Sequence, residues 1–493
     1  MSLQFIIGSS GIGKTYYACE QIIRESMENP QHLYYIIVPE QFTMQTQKNV
    51  VEMHPGKGIL NIDVLSFQRL AYRIFEETGG AREVLLDDTG KSMVLQKLVQ
   101  QHRKNLPYLG SQMNKPGYLD EVKSLISEFM QYDIREEELQ DMLGKTGEDS
   151  LLHMKMQDVG VLYQAFLQYL EGHYMTGEGV MDALKKAIPF SDKLKKSVLL
   201  LDGFTGFTPV QMNVIREFLN VCDKVLVTVT MDAGENPLQM GKPHQLFYMS
   251  RKMIHTLSGL TSNLDDPVLL KDERKGRFGN STSLDFLEKH LFRYRRSAYE
   301  KKQEEICIFA AESPVKELEE TARRIRRLVR EKNLKYGEIA VITGNLEAYK
   351  SIASQVFEES RIPYFLDEKH TILMNPFIEY IRAALEMVTK GFSYESVFRY
   401  LRCDMSGLGR EQVDMLENYV LALGIHGYKK WSEKWVRVYR TMDPEDIQVL
   451  NEYREIFVRE AEILAQGFSS GKRKVCEYCY SLYQFILIIP MKR

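Results

Sequence analysis

The residues that most constrain this chain are Gly8-Ser9-Ser10-Gly11-Ile12-Gly13-Lys14-Thr15, which fit the pattern G-x-x-x-x-G-K-[ST]. The apolar run Leu3-Gln4-Phe5-Ile6-Ile7 before them reads as a short buried strand, and Thr15 to Ser26 reads as the helix that follows. Strand, glycine-rich turn and helix in that order make a phosphate loop. The glycines let backbone N–H groups curl around a phosphate, and the helix N-terminus adds partial positive charge. Lys14 reaches the β- and γ-phosphates, and Thr15 offers its hydroxyl to Mg²⁺. All eight residues, Gly8 through Thr15, are therefore candidate nucleotide-binding residues.

Hydrolysis needs a second element, a strand ending in Asp that holds Mg²⁺, with an acidic residue after it to activate water. Val198-Leu199-Leu200-Leu201-Asp202 supplies the strand and the Asp, so Asp202 joins Thr15 as a candidate metal residue. The next residue is Gly203, where a working motor carries Glu. Val225 to Gly234 is a further strand that ends in Met231-Asp232-Ala233-Gly234 and offers no Gln to sense a γ-phosphate. Seven residues precede Gly8, too few for an upstream adenine site, so weak base selectivity is expected. These features describe the nucleotide-binding remnant of a motor, with at most weak ATPase activity.

At 493 residues the chain exceeds the ~250–300 at which single cores stop growing. The order of patterns divides it. Strand–helix alternation over 1–86 resumes over 190–270, at Ser197 to Leu201 and Lys224 to Met231, and implies one parallel sheet. Residues 87–189 read as helix after helix, including Ser92 to His102 and Leu119 to Met130, and form a helical insertion. A charged Gly- and Ser-containing stretch, Lys271 to Ser283, reads as a linker. It opens a second α/β domain over 271–390, with strands at Glu305 to Ala310 and Glu338 to Thr343 flanking a helix from Val315 to Arg330. Residues 391–493 are helical. The ending Phe485-Ile486-Leu487-Ile488-Ile489-Pro490 has no polar cap, which points to a truncated chain.

Composition excludes several classes. Hydrophobic residues at 44%, charged residues at 27%, 32 Gly and 15 Pro describe folded globular protein. No apolar run nears the roughly 20 residues that cross a bilayer, so a cytoplasmic location is expected. The net charge of −3 means that any attraction to DNA must come from local basic surface. Six cysteines, mostly isolated in apolar segments, read as reduced, buried thiols. Ten scattered histidines give no metal or nucleophile signature.

The phosphate loop taken with Val38-Pro39-Glu40-Gln41 and Leu65-Ser66-Phe67-Gln68-Arg69-Leu70-Ala71 resembles the AddB family, distant relatives of superfamily 1 helicases. Leu199-Leu200-Leu201-Asp202-Gly203-Phe204 and Phe207-Thr208-Pro209-Val210-Gln211 look like that family's degenerate second motor motif. Val397-Phe398-Arg399-Tyr400-Leu401-Arg402 and Leu416 to Tyr428 with Trp431 extend the resemblance over essentially the whole chain. It implies an α/β, P-loop NTPase fold of tandem parallel-sheet domains with large helical insertions, and ATP with Mg²⁺ as cofactors. It also implies an AddA-type partner that supplies the motor in a heterodimer, and DNA as the substrate of a helicase/nuclease that processes double-strand breaks. The family's nuclease domain and four-cysteine iron–sulfur cluster are expected beyond residue 493 and have no ligands here.

Other signals carry two readings each. Cys476-Glu477-Tyr478-Cys479 is a lone C-x-x-C without partners, read as thiols on one helix. Arg323, Arg324, Arg326, Arg327 and Arg330 resemble a phosphate ridge, but Glu319 and Glu320 four residues earlier mark solvated i,i+4 pairs. Arg293-Tyr294-Arg295-Arg296 with Lys301-Lys302 suits DNA backbone contact or a charged surface connection. Ser66 and Gln68 suit single-stranded DNA contact, while capping the next helix is the simpler role of Ser66. Two rival functions remain: a DNA-stimulated ATPase in which Glu40 orients the water, and a small-molecule P-loop kinase.

Overall fold

The computed structural model describes residues 2–487 apart from 81–82, 114, 148–149, 233, 272–275, 294–296, 368–371, 440–441, 444 and 470–473, with the backbone alone of residue 116. The chain forms two compact units, Met1–Ile308 and Phe309–Arg493. No helix among the described residues is long and apolar enough to cross a membrane.

The first unit is built on a six-stranded sheet in the order β3-β2-β6-β7-β1-β8, with every pairing parallel. Its strands are β1 (Ser2–Gly8), β2 (Leu33–Ile37), β3 (Ile62–Leu65), β6 (Ser197–Leu201), β7 (Lys224–Thr230) and β8 (Val268–Leu269). A separate parallel pair joins β4 (Val84–Leu86) to β5 (Tyr174–Thr176). A parallel strand covered on both faces must be apolar throughout, and this explains the unbroken runs of β1, β2 and β6. Alternate residues serve opposite faces. Phe5, Ile7, Tyr35, Ile37, Leu199, Leu201, Val227 and Val229 enter one core, while Ile6, Tyr34, Ile36, Val198, Leu200 and Leu226 enter the other.

The second of these cores takes α1 (Lys14–Glu28), through Ala18, Cys19, Ile22 and Ile23, and α2 (Thr43–Met53), through Val50. The first takes α3 (Phe67–Thr78), whose Ser66 cap accepts a bond from Arg69 N at 3.3 Å. Between the two halves of the sheet come α4 (Asp88–His102), α5 (Leu109–Gln112), α6 (Pro116–Gln131), α7 (Glu136–Gly144) and α8 (Leu151–Leu170). These have a core of their own, with Leu95, Leu98, Ile126, Phe129, Leu162 and Phe166, as a self-contained insertion requires. By contrast α9 (Gly179–Ala187), inside the stretch read as insertion, sends Val180, Met181 and Leu184 into the sheet core, as do Val214 and Phe218 of α10 (Pro209–Val221) and Ile254 of α11 (Tyr248–Ser258). The last helix of the unit is α12 (Thr282–His290).

In the second unit α13 (Pro314–Lys332) and α14 (Leu346–Glu359) share a small core of Leu318, Ala322, Ile325, Val356 and Phe357. A larger core joins α15 (Pro376–Thr389), α16 (Tyr394–Leu401), α17 (Arg410–Leu423), α18 (Tyr428–Ser432), α19 (Asp446–Gly467) and α20 (Val475–Leu487) around Tyr380, Tyr400, Trp431 and Phe457. The strands expected at Glu305 to Ala310 and Glu338 to Thr343 belong to no sheet among the described residues. A ladder needs a neighbour to take its N–H and C=O groups, and apolar alternation alone supplies none. Ile308 and Ile342 stand exposed there, at 95% and 92%. The ending Ile488-Ile489-Pro490 lies outside the described residues, whereas Phe485 is buried against Tyr380 with ring centroids 5.4 Å apart.

The insertion is tied to the sheet side by a shielded ion pair. Lys91 on α4 reaches Glu178, just before α9, at 2.9 Å, with side chains 7% and 11% exposed, and also donates to Ser127 of α6 at 3.2 Å. Burial pushes the Glu178 carboxyl upward, but the bond and charge of Lys91, with other hydrogen bonds, hold it below the usual carboxylate range. A depressed carboxylate contributes its full stability above its unfolded pKa and loses it as pH falls through the folded one. Lys91→Met leaves burial unopposed and should cost about 3 kcal/mol at neutral pH. In urea denaturation that deficit should shrink as acidification protonates Glu178.

Candidate nucleotide site and neighbouring groove

The carboxyl ends of the parallel strands all open on one edge of the sheet, and the sequence-derived candidates gather there. The turn from β1 to α1 carries Gly8, Ser9, Ser10, Gly11, Ile12 and Gly13, with Gly11 at φ +77° and Gly13 at φ +98°, a region that side chains with a Cβ avoid. Lys14 and Thr15 begin α1. The Thr15 hydroxyl donates to both carboxylate oxygens of Asp202, at 3.0 and 2.9 Å. The half-buried Lys14 folds its Nζ onto the Ser9 carbonyl at 2.8 Å. Burial pulls the Lys14 ammonium below the ordinary lysine range, against the opposing charges of Asp202 and Glu288.

Asp202 is buried at 5% exposure, and β7 explains how it is held. That strand lies between β6, which ends at Leu201, and β1. From it Thr228 donates to Asp202 Oδ1 at 2.6 Å and accepts from Gly203 N at 3.4 Å. Sequence reasoning did not single out Thr228; a hydroxyl in the middle of an otherwise apolar buried strand was the available signal. Carboxylate and threonine hydroxyl oxygens form a hard donor set suited to Mg²⁺. Beneath them the Cys19 thiol is pushed up to about 12 by burial and by Asp202, which makes it inert.

Gly203 stands at φ +80°. The position after Asp202 is therefore left-handed backbone, and a Glu there would be strained before any catalytic gain. Gly203→Glu should destabilise the first unit by ~1–2 kcal/mol and add no DNA-stimulated phosphate release, measured by thermal melting and phosphate assay.

The stretch expected to be a linker is instead engaged with the loop. Arg277 N donates to Gly11 O at 2.7 Å, and a Cβ on Gly11 would meet the Phe278 ring at 2.9 Å. Ser10 N donates to Glu288 of α12 at 3.3 Å. Ser9, Ser10, Gly11, Phe278, Asp285 and Glu288 line a cleft of about 420 Å³ with Asp232. Arg293, read as one of a basic-aromatic patch, pairs with Asp232 at 2.9 Å and stacks over Phe247; Tyr294-Arg295-Arg296 lies outside the described residues.

A second cleft, about 530 Å³, opens beside the loops after β2, β3 and β6. Glu40, Ser66, Phe67, Gln68, Gln131, Phe204, Thr208 and Gln211 line it. The Phe67 and Phe204 rings meet edge to face at 5.6 Å. Ser66 is buried as the cap of α3, so Gln68 is the more exposed of the two expected contacts. Glu40 pairs with Arg69 at 3.1 Å and borders this cleft.

The remaining signals resolve locally. Arg323 and Arg324 pair with Glu320 at 2.8 and 3.0 Å, the i,i+3 and i,i+4 arrangement of a solvated face. The expectation of buried thiols holds for Cys19 and Cys222 but not for Cys307, Cys476 and Cys479, which are exposed; α20 turns Phe485 to the core and both of its thiols to the surface.

Comparison with known proteins accords with this geometry. Residues 5–288 match the family described as ADDB, N-terminal. The chain belongs to the AddB family. Residues 279–463 match the UvrD-like helicase C-terminal domain, so the α/β architecture is that of a helicase-like protein. The chain is 40% identical over 493 residues to the B subunit of the ATP-dependent helicase/deoxyribonuclease of Lachnoclostridium phytofermentans, covering 99% of this chain and 43% of that protein. The proteins of the same name from Clostridium novyi and Caldanaerobacter subterraneus subsp. tengcongensis are 33% and 34% identical, again over 99% of this chain and 43% of theirs. This AddB-family chain thus spans less than half the length of these relatives.

Proposed function

We propose that this chain is the nucleotide- and DNA-binding, helicase-like part of the B subunit of an AddAB-type helicase/nuclease, acting with an AddA-type partner on DNA ends in double-strand break repair. The observation that carries this reading is the meeting of Thr15 with Asp202 beside Lys14, on the edge of a parallel sheet in an AddB-family chain. Gly8, Ser9, Ser10, Gly11, Ile12 and Gly13 would cradle the phosphates of ATP, Lys14 would neutralise the outer ones, and Thr15 and Asp202 would hold Mg²⁺. The bound ion would screen phosphate charge there. Turnover by this chain alone is expected to be slow, because Gly203 brings no carboxylate and Glu40 lines the second cleft rather than the one at the loop. The place of Glu40 in the second cleft also weighs against a self-sufficient ATPase.

The groove lined by Gln68, Gln131 and Gln211 suits single-stranded DNA. Its amides offer both donors and acceptors to base edges, and the half-buried Phe204 ring, backed by Phe67, offers a face for stacking.

Lys14→Ala should weaken binding of a fluorescent ATP analogue at least ~30-fold, since a charge-assisted contact to phosphate is worth about 2 kcal/mol or more. Brisk DNA-stimulated hydrolysis by the unmodified chain would overturn the slow-turnover reading. Phe204→Ala should weaken single-stranded oligonucleotide binding roughly tenfold, with the salt dependence of binding unchanged, because stacking is worth ~1–3 kcal/mol per base and involves no counterion release. Fluorescence anisotropy across a salt series reads both quantities.

A further inference from the structure

We propose that Glu288 sets the nucleotide preference of the phosphate loop, its carboxylate standing beside the place of the outermost phosphate so that the chain in this conformation favours a nucleoside diphosphate over a triphosphate. The inference rests on the reading of Gly8 to Thr15 as a nucleotide site and specifies what that site selects.

One hydrogen bond places the carboxylate, and two further contacts orient the loop around it. Ser10 N, one of the loop N–H groups that a phosphate oxygen would otherwise draw on, donates to Glu288 Oε1 at 3.3 Å. The Lys14 ammonium, the group that reaches the outer phosphates, lies on the carbonyl of the adjacent Ser9 at 2.8 Å, so the Ser9–Ser10 arm borders the outer end of the phosphate chain. Lys14 also responds to the charge of Glu288. The inner end of the loop is marked from the other side by Thr15 and Asp202.

Glu288 is held where it is by its surroundings. Arg277 N bonds Gly11 O at 2.7 Å, and the Phe278 ring lies so close that a Cβ on Gly11 would come within 2.9 Å of it, which clamps the turn leading into α12 onto the loop. Asp232 and Asp285 line the same cleft, but Arg293 and Lys289 pair with them at 2.9 Å each. Burial raises the Glu288 carboxyl against the lowering effect of its bond from Ser10, and the charges of Asp232 and Asp285 raise it while that of Arg293 lowers it. A γ-phosphate adds negative charge at this arm and meets the carboxylate directly; a diphosphate ends short of it. The two family matches overlap over residues 279–288, so the helix that carries Glu288 lies where the two helicase-like parts join in sequence.

Glu288→Gln keeps an oxygen for Ser10 N and removes only the charge. Titration of the full chain with ADP and with a non-hydrolysable ATP analogue, both with Mg²⁺, should show the analogue binding roughly tenfold tighter in the variant while ADP changes by less than about threefold. Phe278→Ala, which loosens the clamp while keeping the charge, should shift the ratio the same way by a smaller factor. An unchanged ratio in Glu288→Gln, with nucleotide still bound and the melting temperature preserved, overturns the inference and leaves the nucleotide site standing. Absence of binding by both proteins at millimolar nucleotide overturns both together.

Discussion

Thr15 and Asp202 are separated by 187 positions and meet through a hydroxyl–carboxylate contact at 2.9 Å. That contact exists because β7 inserts between the strand that ends at Leu201 and the strand that ends at Gly8, with Thr228 supporting the carboxylate from below. Parallel pairing then brings every strand's carboxyl end, and with it every polar loop, to the same edge. A buried carboxylate with only hydroxyl partners is costly to keep in an apolar sheet. The second half of the sheet, after an insertion of about a hundred residues, has to return in register for that arrangement to form at all.

The same edge carries two clefts with opposite chemistry. Over β1 and β8 lie the phosphate loop and the carboxylates of Asp202 and Glu288, whose charges act on Lys14. Over β2, β3 and β6 lie amides and phenylalanine rings together with Glu40 and Glu178, whose carboxylates are paired with Arg69 and Lys91. Asp202 and Phe204 are two residues apart on one turn, the first facing the loop and the second lining the groove, with left-handed Gly203 between them. The backbone conformation that lets the turn reverse is one a glutamate would resist.

Each remaining part of the chain solves its own burial problem. The insertion packs Phe129, Leu162 and Phe166 around its own centre and is anchored to the sheet side through Lys91 and Glu178. In the second unit the aromatic core of Tyr380, Tyr400, Trp431 and Phe457 closes the six helices from α15 onward, and the Tyr400 hydroxyl bonds the half-buried Glu460 at 2.9 Å. The apolar stretches around Ile342 and Phe365 are left exposed and without a ladder.

Much of this was legible in the sequence, for physical reasons that are local. An apolar run, then Gly11 and Gly13, then Lys14 and Thr15 at fixed offsets give a strand, a glycine-rich turn and a helix wherever the chain goes next. The strands Ile62–Leu65 and Ser197–Leu201, and the Ser66 cap, follow from residue type within a few positions. Tertiary structure decided what depends on distant partners. Glu305 to Ala310 and Glu338 to Thr343 have strand composition, but a ladder requires a neighbour. Residues 276–283 have linker composition, yet Arg277 and Phe278 close on the phosphate loop and place Glu288 against Ser10. A carboxylate's role is set by the donors and charges within a few ångströms of it, and sequence spacing carries no record of those.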